Sequence, residues 1–214
     1  MWRTGGTVLF AFLVAAVESQ AVIVDRVAIA VGNKVITQSE IELRIRLTAF
    51  EKMETPDFSL TSRKQAAEKM IDQRLVEKEM EVGRFPHVAE DRAKVLLAAY
   101  EKSNYQSDPA ALLRALKKYG LSDTDLEWDL ARQEDFLTFL NLRFRPAVNV
   151  DEQDVRRYFD EKLSPSEREQ GFNALRPQIE QLLANDRADR DLEDWLKDQR
   201  KRTRIIYVEK DLAE

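Results

Sequence analysis

The spacing of apolar positions changes twice along the chain. Between residues 25 and 37 they crowd into two short β-branched runs, Asp25-Arg26-Val27-Ala28-Ile29-Ala30-Val31 and Lys34-Val35-Ile36-Thr37, separated by Gly32-Asn33. β-branched side chains favour strands, and glycine accepts the positive φ of a two-residue turn, so this stretch predicts a hairpin. From there to about residue 202 apolar residues recur three and four apart, as on helices with one buried face. Thr37 with Glu40, or Ser39 with Glu42, offers a capping box for a first helix carrying Ile41 and Ile45 to about Met53. Ser62 with Gln65 predicts the start of a second, through Met70, Ile71, Leu75, Val76 and Met80 to Gly83. A third runs from about Ala89 to Lys102, and Asp108-Pro109 opens a fourth that Gly120 closes. Ser122 caps a fifth, through Leu126, Leu130, Leu137 and Leu140 to Phe144, and Asp151 begins a short sixth through Val155 and Phe159. A seventh and longest helix is expected from about Asn173 to Arg202, with Pro177 in its first turn. The chain then returns to a β-prone run, Arg204-Ile205-Ile206-Tyr207-Val208. An isolated hairpin is marginal in water, so this run is the natural third strand and would bring the chain ends together. The expected class is mainly α with a small β-sheet.

The first residues read differently. Arg3 precedes the uncharged, mostly apolar stretch Thr7 to Val17, and Ser19 and Ala21 are small residues two apart. That layout predicts a signal peptide over residues 1–21, cleaved between Ala21 and Val22, and hence an exported protein with no stable membrane insertion after cleavage. The apolar stretch is shorter than the roughly 20 residues a membrane span needs. The remaining chain divides into a helical domain with its hairpin over 22–160, a short linker over 161–172, and a helix and strand over 173–214 that complete the same core.

Composition narrows the chemistry. The chain carries 39 acidic against 34 basic residues, a net charge of −5, which argues against a nucleic-acid partner because phosphate binding needs a net basic face. It has no cysteine and one histidine, so disulfides, thiol nucleophiles and multi-histidine zinc sites are excluded. No G-x-S-x-G elbow, phosphate loop or dinucleotide fingerprint occurs. His87 stands beside Pro86 without a partner pattern and reads as a helix-flanking residue. Asp186, Asp189, Asp191, Glu193 and Asp194 spread around a helix with Arg187 and Arg190 interleaved, which is an ion-paired face rather than a metal cluster. Asp123, Asp125, Glu127 and Asp129 occupy the first turns of the fifth helix, and Arg200-Lys201-Arg202 the last turn of the longest, where each sign suits the helix dipole. No catalytic residue, metal or cofactor is expected. Phe50, Met53, Phe58, Phe85, Tyr100 and Tyr105 lie near segment ends; such residues build either core or an adaptable apolar groove.

Several of these segments, taken together, resemble a known family. The run Val24-Asp25-Arg26-Val27-Ala28-Ile29-Ala30-Val31-Gly32-Asn33-Lys34-Val35-Ile36-Thr37-Gln38-Ser39-Glu40-Ile41 and the later Met70-Ile71-Asp72-Gln73-Arg74-Leu75-Val76 are similar to the N-terminal domain of SurA-type periplasmic chaperones. Val148-Asn149-Val150 with residues 151–159 resembles the point after which those proteins insert a parvulin prolyl-isomerase domain. The stretch from Ile179 through Trp195-Leu196 to Ile205-Ile206-Tyr207-Val208 resembles the returning helix and strand of their core. Only residues 160–172 separate Phe159 from Asn173, far too few for a folded isomerase domain. The resemblance therefore implies a periplasmic, ATP-independent holdase for unfolded polypeptides, above all outer-membrane β-barrel precursors, without isomerase activity. Self-association stays open. The candidate client-binding residues are Phe50, Met53, Phe58, Tyr100 and Tyr105, on or beside the first helices. Two other roles stay open: docking to one folded envelope partner, and serving as the client cradle for a separate isomerase.

Overall fold

The computed structural model describes residues 25–213, so the expected signal peptide and the bond between Ala21 and Val22 lie outside the described residues. Strands β1 (Val27–Val31) and β2 (Lys34–Thr37) form the expected antiparallel hairpin, with Gly32 at φ +61° in the turn. A side chain resists that conformation, whereas glycine enters it without steric penalty. Strand β3 (Ile205–Tyr207) adds antiparallel to the other side of β1, with Ile29 opposite Tyr207 and Val31 opposite Ile205. The sheet order is β2-β1-β3, so the two ends of the described chain meet in one sheet. Backbone hydrogen bonds of 2.9 Å extend the pairing at both ends, from the Gly32 N–H to the Arg204 carbonyl and from the Val208 N–H to the Ala28 carbonyl.

Eight α-helices occupy most of the rest of the described residues: the seven that the sequence pattern predicts and one short helix that it does not. Helix α1 (Gln38–Lys52) starts at the first of the two candidate boxes: Thr37 caps it while Glu40 accepts the Thr37 N–H at 2.9 Å. Helix α2 (Leu60–Gly83) starts earlier than the Ser62–Gln65 pair predicts. Its cap is Ser59, whose hydroxyl accepts the Ser62 N–H, and Asp57 accepts hydrogen bonds from both serine hydroxyls. Ser62 is thus inside the first turn, and the acidic residue ahead of Ser59 decides the start. Helices α3 (Glu90–Tyr105), α4 (Pro109–Lys118, capped by Asp108) and α5 (Asp123–Arg143, boxed by Ser122 and Asp125) follow, then α6 (Glu152–Lys162, capped by Asp151). Within the expected linker a one-turn helix, α7 (Pro165–Arg168), is closed by a Ser164–Glu167 box. Helix α8 (Phe172–Arg202) begins ahead of Asn173, which places Pro177 in its second turn rather than its first, so the helix gives up one internal hydrogen bond there.

The interior is divided into four apolar clusters, and the long helices thread between them. Ile29 and Ile36 of the sheet pack with Ile41, Ile45, Met70 and Ile71 in the first. The far half of α2 contributes Val76 and Met80 to a second, with Phe139, Phe144, Ala188 and Leu192. The far half of α1 gives Leu47 and Phe50 to a third, with Leu112, Leu116, Leu121 and Leu126. A fourth joins Val155 of α6 to Leu175 and Ile179 of α8. Each of α1, α2, α5 and α8 serves two clusters, so no cluster can loosen without disturbing a helix that another one needs.

The returning chain is also held by charge. Arg200 Nε lies 2.7 Å from Asp72 Oδ1, its Nη1 2.5 Å from Glu68 Oε2, and its Nη2 donates to the Glu68 carbonyl at 2.9 Å. Tyr207 donates its hydroxyl to Glu68 Oε1 at 2.7 Å, and burial together with that bond pushes its pKa up to about 12. Beyond complementing the helix dipole, Arg200 therefore clasps α8 to α2, and Tyr207 holds β3 to the same Glu68. Replacing Ile29, fully buried on the central strand, by alanine is expected to cost about 2–5 kcal/mol, seen as a lower urea midpoint at unchanged slope.

Candidate functional site

The five candidate client-binding residues fall into two groups. Phe50 is only 4% exposed and packs in the third cluster, its ring 6.3 Å from Tyr100 and 5.5 Å, edge-on, from Tyr119. Tyr105 lies 6.3 Å from Tyr100, and burial raises the pKa of both tyrosines. These four rings tie α1 to α3 and to the end of α4. Met53, 85% exposed, stands in the left-handed residue that ends α1, and Phe58, 47% exposed, precedes α2. Thus Phe50, Tyr100 and Tyr105 are brought together as packing, while Met53 and Phe58 face solvent.

A concave surface with an apolar floor lies elsewhere, between α1, α2 and α5. Two adjoining hollows, of about 280 and 440 Å³, share Glu40, Trp128 and Arg132. The larger falls in the size range of small-ligand and peptide-side-chain sites. Leu43 and Met70 line the smaller; Val76, Met80 and Phe136 line the larger. Trp128 stands at their junction with 66% of its surface exposed, an unusual position for a large aromatic ring. His87 borders the larger hollow, its Nδ1 3.0 Å from Asp135 Oδ2, and the same carboxylate accepts the Val88 N–H at 2.6 Å. Asp135 therefore pins the loop that enters α3.

A buried charge network forms the wall behind Trp128. Asp129 is fully buried; one of its carboxylate oxygens is hydrogen-bonded by Arg44 of α1 and the other accepts from Gln133 Nε2 at 2.9 Å. Gln133 also donates to Glu51 at 2.8 Å. Burial raises the pKa of Glu51, and the nearby Asp129 charge adds to the rise. Arg74 holds Glu40 at 2.6 Å and Glu77 at 3.0 Å and donates to the Val35 carbonyl, closing the outer edge of β2. Arg132 is different. Its nearest carboxylate oxygen, on Asp129, is 3.8 Å away, and its Nε is buried without a partner. Burial pushes the Arg132 guanidinium below its ordinary pKa, and the charge of Arg44 adds to the effect. An unsatisfied buried donor of this kind typically costs about 1–3 kcal/mol.

Asp129 adds to the sequence reading of the fifth helix, in which it was one of four carboxylates in the first turns that suit the helix dipole: it is buried and ion-paired. It stands three residues after Leu126 and seven before Phe136, on the stripe that turns inward. That position on the apolar face is the signal that could have marked it, and the same stripe leads to Arg132 one turn on. Of the other acidic candidates, Asp186 pairs with Arg190 and Asp194 with Lys197 along the exposed face of α8. No protein-family model matches the chain, and no curated protein is similar enough to match it.

Two outcomes follow from this network. Asp129→Asn leaves two arginines facing a neutral side chain in a buried site, and is expected to lower stability by about 3–5 kcal/mol in urea unfolding. Glu51→Gln acts in the other direction. Because the folded protein holds the Glu51 proton to higher pH than the unfolded chain, ionisation opposes folding as pH rises past 4.5. The variant should match the natural protein below that pH and exceed it in stability at pH 7, measured as paired urea midpoints.

Proposed function

We propose that this chain is an ATP-independent periplasmic holdase that binds unfolded exported polypeptides, above all outer-membrane β-barrel precursors, and catalyses no prolyl isomerisation. The observation that carries the reading is the closure of the N-terminal hairpin by the returning C-terminal strand around a helical body, the arrangement that the SurA-type resemblance implies. Support also comes from the short connection between α6 and α8, residues 163–171, which holds one helical turn where an isomerase domain would be inserted. The cleft beside Trp128 gives such a protein an apolar floor with polar rims, which suits transient capture of an extended segment. Without nucleotide-driven release, each engagement must be weak enough to reverse by mass action. Micromolar binding, about −8 kcal/mol, meets that need.

The test is aggregation of a urea-unfolded β-barrel membrane protein on dilution into buffer. The purified chain in modest excess is expected to suppress light scattering without nucleotide, increasingly with its concentration. Scattering unchanged across a wide concentration range would overturn the holdase reading. Turnover of a prolyl peptide by the pure chain would overturn the non-enzymatic part.

A further inference from the structure

We infer that the cleft between α1, α2 and α5 is built to take a carboxylate carried on an apolar peptide segment, with Arg132 as the anion anchor and Trp128 as the apolar lip. This rests on the polypeptide-binding reading above and states what that site selects.

Arg132 presents five N–H donors in a planar fork. Among the described residues it makes no hydrogen bond: its closest carboxylate oxygen is at 3.8 Å, and Asp129 is already engaged by Arg44 and Gln133. The other cations of the walls are satisfied. Lys34 lies 2.5 Å from Glu81, Arg74 holds Glu40 and Glu77, and Arg44 holds Asp129. The cleft thus has one guanidinium that makes no hydrogen bond and only a loose 3.8 Å ion pair with Asp129, and it lines both hollows.

The surroundings decide what could complete it. An arginine fork matches a carboxylate through two parallel hydrogen bonds, a stronger and more directional pairing than a neutral carbonyl provides. Glu40, Glu77, Glu81 and Asp135 rim the larger hollow and oppose a multiply charged anion such as a phosphate ester or a nucleic acid. One negative charge placed against Arg132 is tolerated; several are not. The floor of Leu43, Met70, Val76, Met80 and Phe136 requires the rest of the occupant to be apolar, and the methionines let it adapt to different side chains. Trp128, two-thirds exposed, offers a face on which an aromatic or aliphatic side chain of that segment can lie.

Two sources could supply the carboxylate: the free C-terminus of a polypeptide, or an acidic side chain within an apolar stretch. Fluorescence anisotropy with an N-terminally labelled eight-residue apolar peptide separates them. Three forms are titrated with the full chain: a free C-terminal acid, a C-terminal amide, and an amide with one internal glutamate. At least one carboxylate-bearing form is expected to bind about tenfold more tightly than the uncharged amide. Preference for the free acid identifies chain ends as the ligand, and preference for the glutamate form identifies internal acidic segments. Arg132→Gln is expected to bring the preferred form down to the affinity of the amide. Equal binding of all three forms, or a preference that survives Arg132→Gln, would overturn the inference while leaving the holdase reading intact. No binding by any form would overturn both. Arg132→Met provides the control for folding. Because the guanidinium makes no internal hydrogen bond, this variant should keep or raise the urea midpoint. A midpoint lowered as far as in Asp129→Asn would make Arg132 a structural residue and end the proposal.

Discussion

A carboxylate with no access to water must be met by positive charge and hydrogen bonds, and Asp129 imposes that requirement on the centre of this molecule. It sits on α5, and the residues that satisfy it are Arg44 on α1 and Gln133 one turn further along α5. Helix α5 is therefore tied to α1 through this pair, and Arg44 and Arg132 of the two helices both line the smaller hollow of the cleft. The arrangement that locks α5 in place also leaves Arg132, behind Trp128, with only a loose 3.8 Å approach to Asp129.

Around this network the chain distributes its apolar material over four small clusters instead of one large one. Continuity comes from the helices that pass from cluster to cluster and from the strand that returns to β1. The sheet is small, and two strands alone would be marginal. Its third strand arrives at the end of α8, whose last turn is held to α2 by Arg200 on Asp72 and Glu68 and by Tyr207 on Glu68. In a chain without cysteine, this closure joins the two ends of the described residues noncovalently.

Much of the fold was legible in the sequence, because the deciding signals were local. Gly32-Asn33 between β-branched runs specified the hairpin, Asp108-Pro109 with Gly120 bounded α4, and of the two capping boxes the sequence offers for α1 the structure forms Thr37 with Glu40. The third strand was legible from an energetic need that only the terminal run could meet. Misreadings arose where a neighbour outside the pattern decided the outcome: Asp57 moves the start of α2 to Ser59, and the earlier start of α8 carries Pro177 into its second turn. The site was far less legible. Whether Phe50 points into the third cluster or into a groove depends on Tyr100 and Tyr119, which are distant in sequence. Asp129 looked like one of several helix-opening carboxylates until its place on the inward stripe was matched with Arg44, 85 residues away. Trp128 and Arg132 carry no motif; what singles them out is that one is exposed against expectation and the other has a buried Nε without a hydrogen-bond partner.

The central claim is that an unfolded polypeptide engages this cleft, and site-specific photocrosslinking tests it most directly. Trp128 is replaced by p-benzoylphenylalanine, as are the exposed Val95 of α3 and Leu113 of α4 in separate variants, and each is irradiated with an unfolded β-barrel client. The account predicts client adducts concentrated at position 128, with few at 95 and 113. Equal adducts at all three positions, or none at 128 while the others react, would contradict it.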